Sequence, residues 1–220
     1  MHCYATRCSI VATCCQKTCC QKGWNSVVKN VCVFCGSSEG MCPVYAEAAK
    51  TLGATIAERG MRLVYGGGKV GLMRVVADAA LAKGGEVIGV IPKALLEKEI
   101  GHEGLTELHV VGSMHERKML MSDLSEGFVA LPGGYGTLEE FLEVLSWAQL
   151  SLHEKPCALL NVGGFFEPLL TLFERAVEKG FVHPDHRSLV LADEEPAAIL
   201  EAMERYSPPK TKKWISPEDL

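Results

Sequence analysis

The chain has 220 residues, 48 % of them hydrophobic and 22 % charged, with a formal net charge of −5. That is enough chain for one domain with a substantial core. The acidic balance speaks against a nucleic-acid partner, and no run of about 18 apolar residues is present to span a membrane. Residues 1–30 carry Arg7, Lys17, Lys22 and Lys29 and no acid, which leaves 18 of the 22 basic residues against all 27 acidic ones, a net of −9, for the remainder. Six of the ten cysteines (Cys3, Cys8, Cys14, Cys15, Cys19 and Cys20) lie in the first twenty residues. Thiolates this close can attract zinc, but the segment lacks a clear second ligand pair and a histidine at finger spacing. Cys32, Cys35, Cys42 and Cys157 are too few for a disulfide scaffold. Residues 1–30 therefore read as a basic, Cys-rich tail. A disordered tail, an organelle-targeting segment and an unusual translation start are the open readings.

From residue 31 the pattern is regular. "VCVFC" is a β-branched run that stops at "GSS". Residues 43–60 place Tyr45, Ala48, Ala49, Leu52 and Ile56 on one helical face, with Gly60 as a stop. "RLVY" predicts a strand ending in "GGG". "GLMRVVADAALAKGG" predicts a helix, and "EVIGVIP" a third strand closed by Pro92. "ELHVV" is a short strand, followed by a helix over 113–125 with Ser113 as its N-cap. "GFVALPGG" predicts a strand, and "GTLEEFLEVLSWAQL" a helix with Leu138, Phe141, Leu142, Leu145 and Ala148 on one side. Three more elements, "PCALLN", "FFEPLLTLFERAVEKG" and "SLVLA", alternate strand, helix, strand, and "EEPAAILEAMERY" is a last helix. Two proline breaks make residues 207–220 a tail. Strands that are apolar throughout belong to a sheet covered on both faces. The expected fold is one α/β domain over residues 31–206, a Rossmann-like doubly wound, mostly parallel sheet with helices on both faces.

In such sheets ligands bind outside the carboxyl ends of the strands. Three predicted strands end there in small residues: "CGSS", "YGGGKVG" and "PGGYGT". Each leads into a helix, whose free N–H groups suit an anion. Ser37, Ser38, Gly66, Gly67 and Gly68 are accordingly phosphate-loop candidates, although a tight turn alone also explains any one of these loops. None has Walker or G-x-G-x-x-G spacing, which weighs against ATPase and dehydrogenase readings. On the helix over 113–125, Arg117 falls between Met114, Leu120, Met121 and Leu124, on the face that packs inward. Either its guanidinium meets a carboxylate or phosphate, or its stem packs and its head snorkels to water. His115 faces outward. Periodicity places Glu139, Glu140 and Glu143 together away from the apolar stripe and does not choose among them.

"GSMHERK" followed by "ALPGGYGTLEE" resembles the Lonely Guy family of cytokinin-activating phosphoribohydrolases. The family pattern PGGxGTxxE is met by Pro132, Gly133, Gly134, Gly136, Thr137 and Glu140. "VFCGSS", "YGGGKVGLM", "VIGVIP" and "WAQL" are also similar to family segments, so the resemblance spans roughly residues 31–206. It implies hydrolysis of the N-glycosidic bond of N6-substituted adenosine 5′-monophosphates to the free base and ribose 5-phosphate. By position it implies Arg117 and Glu140 as the catalytic pair. Glu99, Lys118, Gly134, Tyr135, Gly136, Thr137, Leu138, Glu139 and Ser146 would be the substrate contacts. In this reading Thr137 caps its helix and binds phosphate or ribose, and Arg117 holds Glu140 ionised or assists the leaving base. The resemblance implies no cofactor and no metal, a homodimer with its site near the interface, and a cytoplasmic location. Members have long been labelled possible lysine decarboxylases, yet no convincing pyridoxal-phosphate lysine stands in this sequence. Lys69 and Arg74 are more strongly charged than their usual counterparts, and either add phosphate contacts or face solvent. The alternative is a non-catalytic nucleotide or molybdenum-cofactor carrier on the same fold.

Overall fold

The computed structural model describes residues 28–99 and 101–209, and their side chains except at 97–99. The expectations for residues 1–27 and 210–220 lie outside the described residues. Among the described residues there are seven strands: β1 (Asn30–Phe34), β2 (Arg62–Tyr65), β3 (Val87–Pro92), β4 (Glu107–Val111), β5 (Gly127–Ala130), β6 (Cys157–Leu160) and β7 (Val190–Asp193). They pair in the order β4-β3-β2-β1-β5-β6-β7, and every pairing is parallel. The α-helices are α1 (Pro43–Glu58), α2 (Gly71–Ala82), α3 (Lys93–Glu99), α4 (Met114–Asp123), α5 (Tyr135–Gln149), α6 (Glu167–Glu178) and α7 (Pro196–Glu204). This is the expected doubly wound fold.

Although β1 and β5 are apolar throughout, their side chains still alternate between two cores. Val31, Val33 and Val129 join residues of α1, α2 and α7 on one face. Cys32, Phe34, Phe128 and Ala130 join Met121 of α4, Phe141 and Val144 of α5 and Leu170 of α6 on the other. The helices end where local chemistry directs. Gly60 and Gly84 take φ of 68° and 73°, which lets the chain turn back onto the last carbonyls of α1 and α2. Ser113 caps α4, its hydroxyl accepting from the Glu116 amide at 3.1 Å, while the Glu116 carboxylate accepts from the Gly112 amide at 2.7 Å. This is close to a capping box.

Three expectations need correction. The folded body begins before residue 31, because Val28 is 3 % exposed within the core and the Asn30 amide donates to Glu126 at 3.2 Å. Residues 93–106 carry no predicted element, yet they contain α3. On α5 the buried residues are Thr137, Phe141, Val144 and Ala148, whereas Leu142 is 37 % exposed. At 100° per residue, the buried arc is rotated by about 60° from the one that the leucines suggested.

Candidate active site

Strand order runs outward from β1 to β4 and then restarts beside β1 at β5. The crevice above a reversal of this kind is where the connecting loops part. Here a cavity of about 280 Å³ opens, walled by the turn after β1 (Cys35–Ser37), Gly66 after β2 and Gly134–Thr137 after β5. Arg117 and Glu140 also line it, together with Met73, Met114 and Met121.

Arg117 points inward, as its helical phase requires, and its side chain is 9 % exposed. Nη1 stands 3.8 Å from Glu140 Oε1, an ion pair without a close hydrogen bond. Nη2 donates to the Gly66 carbonyl at 3.4 Å, and Nη1 lies 3.8 Å from Met114 Sδ. Nε has no partner among the described residues. A guanidinium so enclosed keeps donor capacity in hand for a ligand. This geometry decides against the snorkelling reading.

Glu140 corrects the sequence reading. It does not share the polar side of α5 with its neighbours: its side chain is 12 % exposed, against 55 % for Glu139 and 27 % for Glu143. Burial pushes its carboxyl above the usual glutamate range, and the Arg117 charge partly reverses the shift. Lys118, one residue on from Arg117, faces the other way along α5, and its Nζ meets Glu139 at 2.5 Å and Glu143 at 3.0 Å. Burial disfavours its charge, but the two carboxylates outweigh that and hold the ammonium above its ordinary value. A Schiff-base lysine must shed its proton, so Lys118 is unsuited to the role.

The N-cap of α5 is Gly134, so Tyr135 and Gly136 present the free amides of the first turn at the cavity wall. Thr137 is not the cap. It is the third residue of the helix, 4 % exposed, and packs so closely on Gly133 that a Cβ there would stand 2.1 Å from its hydroxyl oxygen.

The second glycine loop departs further from expectation. Gly66, Gly67 and Gly68 are buried, and of the three only Gly66 lines the cavity. A Cβ on Gly66 would fall 2.0 Å from Arg117 Nη2. Its glycine makes room for the guanidinium, while Gly67 packs against Ile91 and the backbone of Val90. Ser37 lines the cavity, whereas Ser38 lines a neighbouring one of about 280 Å³ beside Tyr45 and Phe165. Arg74 is bound to Glu39 at 2.9 Å and Lys69 is exposed. Leu138 packs with the core under α5. Ser146 donates to the Leu142 carbonyl at 2.7 Å and borders a groove against α6 instead. Glu99 is the last residue of α3, and its side chain lies outside the described ones. Cys35 was missed, although its place just past β1 put it at the ligand edge. Burial and then the Glu140 charge push its thiol up, so it is a neutral wall group.

A family model described as "Possible lysine decarboxylase" matches residues 73–203. A rice protein (Oryza sativa subsp. japonica) named probable cytokinin riboside 5′-monophosphate phosphoribohydrolase LOGL2 is 50 % identical over 191 residues, covering 84 % of this chain and 78 % of its own. The Arabidopsis thaliana cytokinin riboside 5′-monophosphate phosphoribohydrolase LOG7 is 48 % identical over 180 residues, covering 82 % and 83 %. Among solved structures, the molybdenum cofactor carrier protein of Chlamydomonas reinhardtii aligns with a TM-score of 0.61 at 23 % identity, over 80 % of this chain and 96 % of that one. The molybdenum cofactor binding protein of Rippkaea orientalis aligns with a TM-score of 0.61 at 24 % identity, over 82 % and 98 %. These two likenesses are of fold.

Proposed function

The chain belongs to the Lonely Guy family of phosphoribohydrolases, and from that premise we propose that it hydrolyses N6-substituted adenosine 5′-monophosphates. The products are the free base, an active cytokinin, and ribose 5-phosphate. The observation that carries this reading is the near-buried pair of Arg117 and Glu140, 3.8 Å apart, in a cavity that also receives the amides at the start of α5. A carrier needs only the loops. A carboxylate enclosed beside the reacting carbon is what glycoside chemistry uses, and an arginine with an unpartnered Nε can bind the substrate beside it.

As the bond from ribose C1′ to the base nitrogen breaks, positive charge develops on the ribose. Glu140, ionised beside Arg117, stabilises that charge and orients the attacking water. The water's oxygen bonds to C1′ as the bond to the base breaks, and the proton that the water gives up is the one the departing base carries away. Arg117 offsets part of the burial that disfavours the carboxylate's charge. The 5′-phosphate sits at the Gly134–Gly136 amides, with Ser37 in the same cavity wall, and Lys118 ties Glu139, which lines the cavity, to Glu143.

Two charge-assisted hydrogen bonds to phosphate contribute roughly 3–6 kcal/mol, or two to four decades in specificity. The test is a panel of N6-isopentenyladenosine 5′-monophosphate, adenosine 5′-monophosphate and the corresponding nucleosides, assayed for base and ribose 5-phosphate. Monophosphates are expected to turn over, and nucleosides at least about a hundredfold less well. Equal kcat/KM for nucleoside and monophosphate overturns the assignment of the phosphate site. Absence of base release from every monophosphate overturns the hydrolase itself.

The same reading makes the protein a cytoplasmic homodimer without nucleic-acid or membrane partners. Among the described residues no helix is long and apolar enough to cross a membrane. Met114 and Met119 on α4 and Leu142 on α5 are 42 %, 50 % and 37 % exposed, apolar side chains that a second copy would cover. Sedimentation at the monomer mass across the micromolar range would refute the dimer.

A further inference from the structure

Arg117 is placed by its contacts on two sides, and only one of them is an acid. The other is the Gly66 carbonyl, 3.4 Å from Nη2. Gly66 opens the loop Gly66–Gly68, which is pinned between β3 and a strap at residues 101–105. On the β3 side, Gly89 has no side chain, and a Cβ there would stand 2.9 Å from the Gly67 Cα. From the strap, Gly101 bridges Gly68 and the His102 amide donates to the Gly67 carbonyl at 3.2 Å.

The strap is itself tied down by a side chain. His102 is 6 % exposed, and its Nε2 meets Asp78 Oδ1 of α2 at 2.8 Å. Its Nδ1 has no partner among the described residues. A polar ring buried with one nitrogen unsatisfied is a poor way to fill space, since an apolar side chain would fill it without that penalty. What the imidazole adds is a directional bond to α2. His102 does not line the cavity, so it has no direct hold on a ligand there.

We propose that His102, anchored by Asp78, is a positioning residue for Arg117: it fixes the Gly66–Gly68 loop, whose first carbonyl sets the guanidinium against Glu140. The inference rests on the hydrolase reading for its kinetic consequence. Displacing a catalytic group by about 1 Å lowers rate by up to about a hundredfold. The phosphate-binding turn of α5 lies on the far side of the cavity, so ground-state binding should be spared.

The test uses the full chain with His102→Ala, and with Asp78→Ala as the milder variant should the first fail to fold, each in wild-type and Arg117→Ala backgrounds. With N6-isopentenyladenosine 5′-monophosphate, kcat is expected to fall about 10- to 100-fold, with KM within about twofold. In the Arg117→Ala background the same substitutions should produce no further loss. A second readout does not need turnover: peptide-mapped modification of Arg117 by phenylglyoxal should accelerate in His102→Ala, because the loop no longer encloses the guanidinium. Unchanged kcat, or an equal loss with and without Arg117, overturns the positioning role. If the wild-type protein releases no base, the hydrolase reading fails on its own, and the phenylglyoxal rate alone decides whether His102 holds Arg117. An unchanged rate refutes it.

Discussion

Glu140 combines burial and charge in the cavity wall. Its carboxyl is enclosed, raised by burial and partly restored by Arg117. Glu140→Gln keeps the shape and removes the charge that faces the developing cation. Such stabilisation is worth about 3–4 kcal/mol, so kcat should fall roughly 10²–10³-fold. The same change at Glu139 or Glu143, which pair with Lys118, should lower it far less. Turnover by Glu140→Gln at the wild-type rate would refute the assignment. The raised pKa carries two further signs. Catalysis needs the ionised form, so the acid limb of kcat/KM should lie above the ordinary glutamate value of about 4.3. A carboxyl raised in the folded state contributes stability that is full below its unfolded pKa and lost as pH rises through the folded one. Glu140→Gln escapes that loss, so its Tm should exceed that of the wild type near pH 7, with the gap closing towards about pH 4. A lower Tm at pH 7 would mean that the ion pair with Arg117 outweighs burial.

The scale of elements is ruled by how closely helices approach. On α1, Gly53 faces α2, and a Cβ there would stand 2.2 Å from the Val76 carbonyl oxygen. Replacing an exposed helix glycine by alanine stabilises by about 1 kcal/mol. Here overpacking should win, at a cost of roughly 1–3 kcal/mol, and Gly53→Ala should lower Tm by at least about 2 °C. An increase in Tm would show that the two helices can separate freely. Because α2 begins beside the first loop, with the Leu72 amide donating to the Gly36 carbonyl at 3.0 Å, this packing also locates one wall of the cavity. Across the cavity, Lys118 joins α4 to α5 through two carboxylates, so the helices carrying Arg117 and Glu140 are tied one residue away from the pair itself.

For the molecule as a whole, the boundary of the folded body is the testable quantity. Val28 is 3 % exposed, and Asn30 donates to the Leu124 carbonyl at 2.7 Å and accepts from Arg62 at 2.8 Å. These contacts join β1, β2 and the end of α4. Removing residues 1–30 discards a buried valine worth about 1.5–3 kcal/mol and hydrogen bonds worth about 1 kcal/mol each. That truncation should melt at least about 5 °C below one removing residues 1–27. Equal melting temperatures would place the boundary where residue composition alone puts it, at 30.

The sequence by itself determined the doubly wound class, the seven strands, the Ser113 cap and the inward phase of Arg117. All of these follow from neighbours along the chain: strands that are mostly apolar, a Ser-x-x-Glu start, a charge within an apolar helical face. The motif spacing also singled out Glu140, by resemblance. Tertiary structure alone decided the strand order and with it which loops meet at the reversal beside β1, because pairing between distant strands leaves no periodic trace. It decided that Glu140 is enclosed, since a helix face can turn towards a polar cavity as well as towards an apolar core, and Leu138, Leu142 and Leu145 drew the expected stripe away from it. It decided that Gly66 leaves space for Arg117 while Gly67 packs against β3, because a glycine's missing Cβ is read only from what stands opposite it. And it decided the place of His102, whose meaning depends on Asp78 and Gly67, two partners brought to it by the fold of three separate segments.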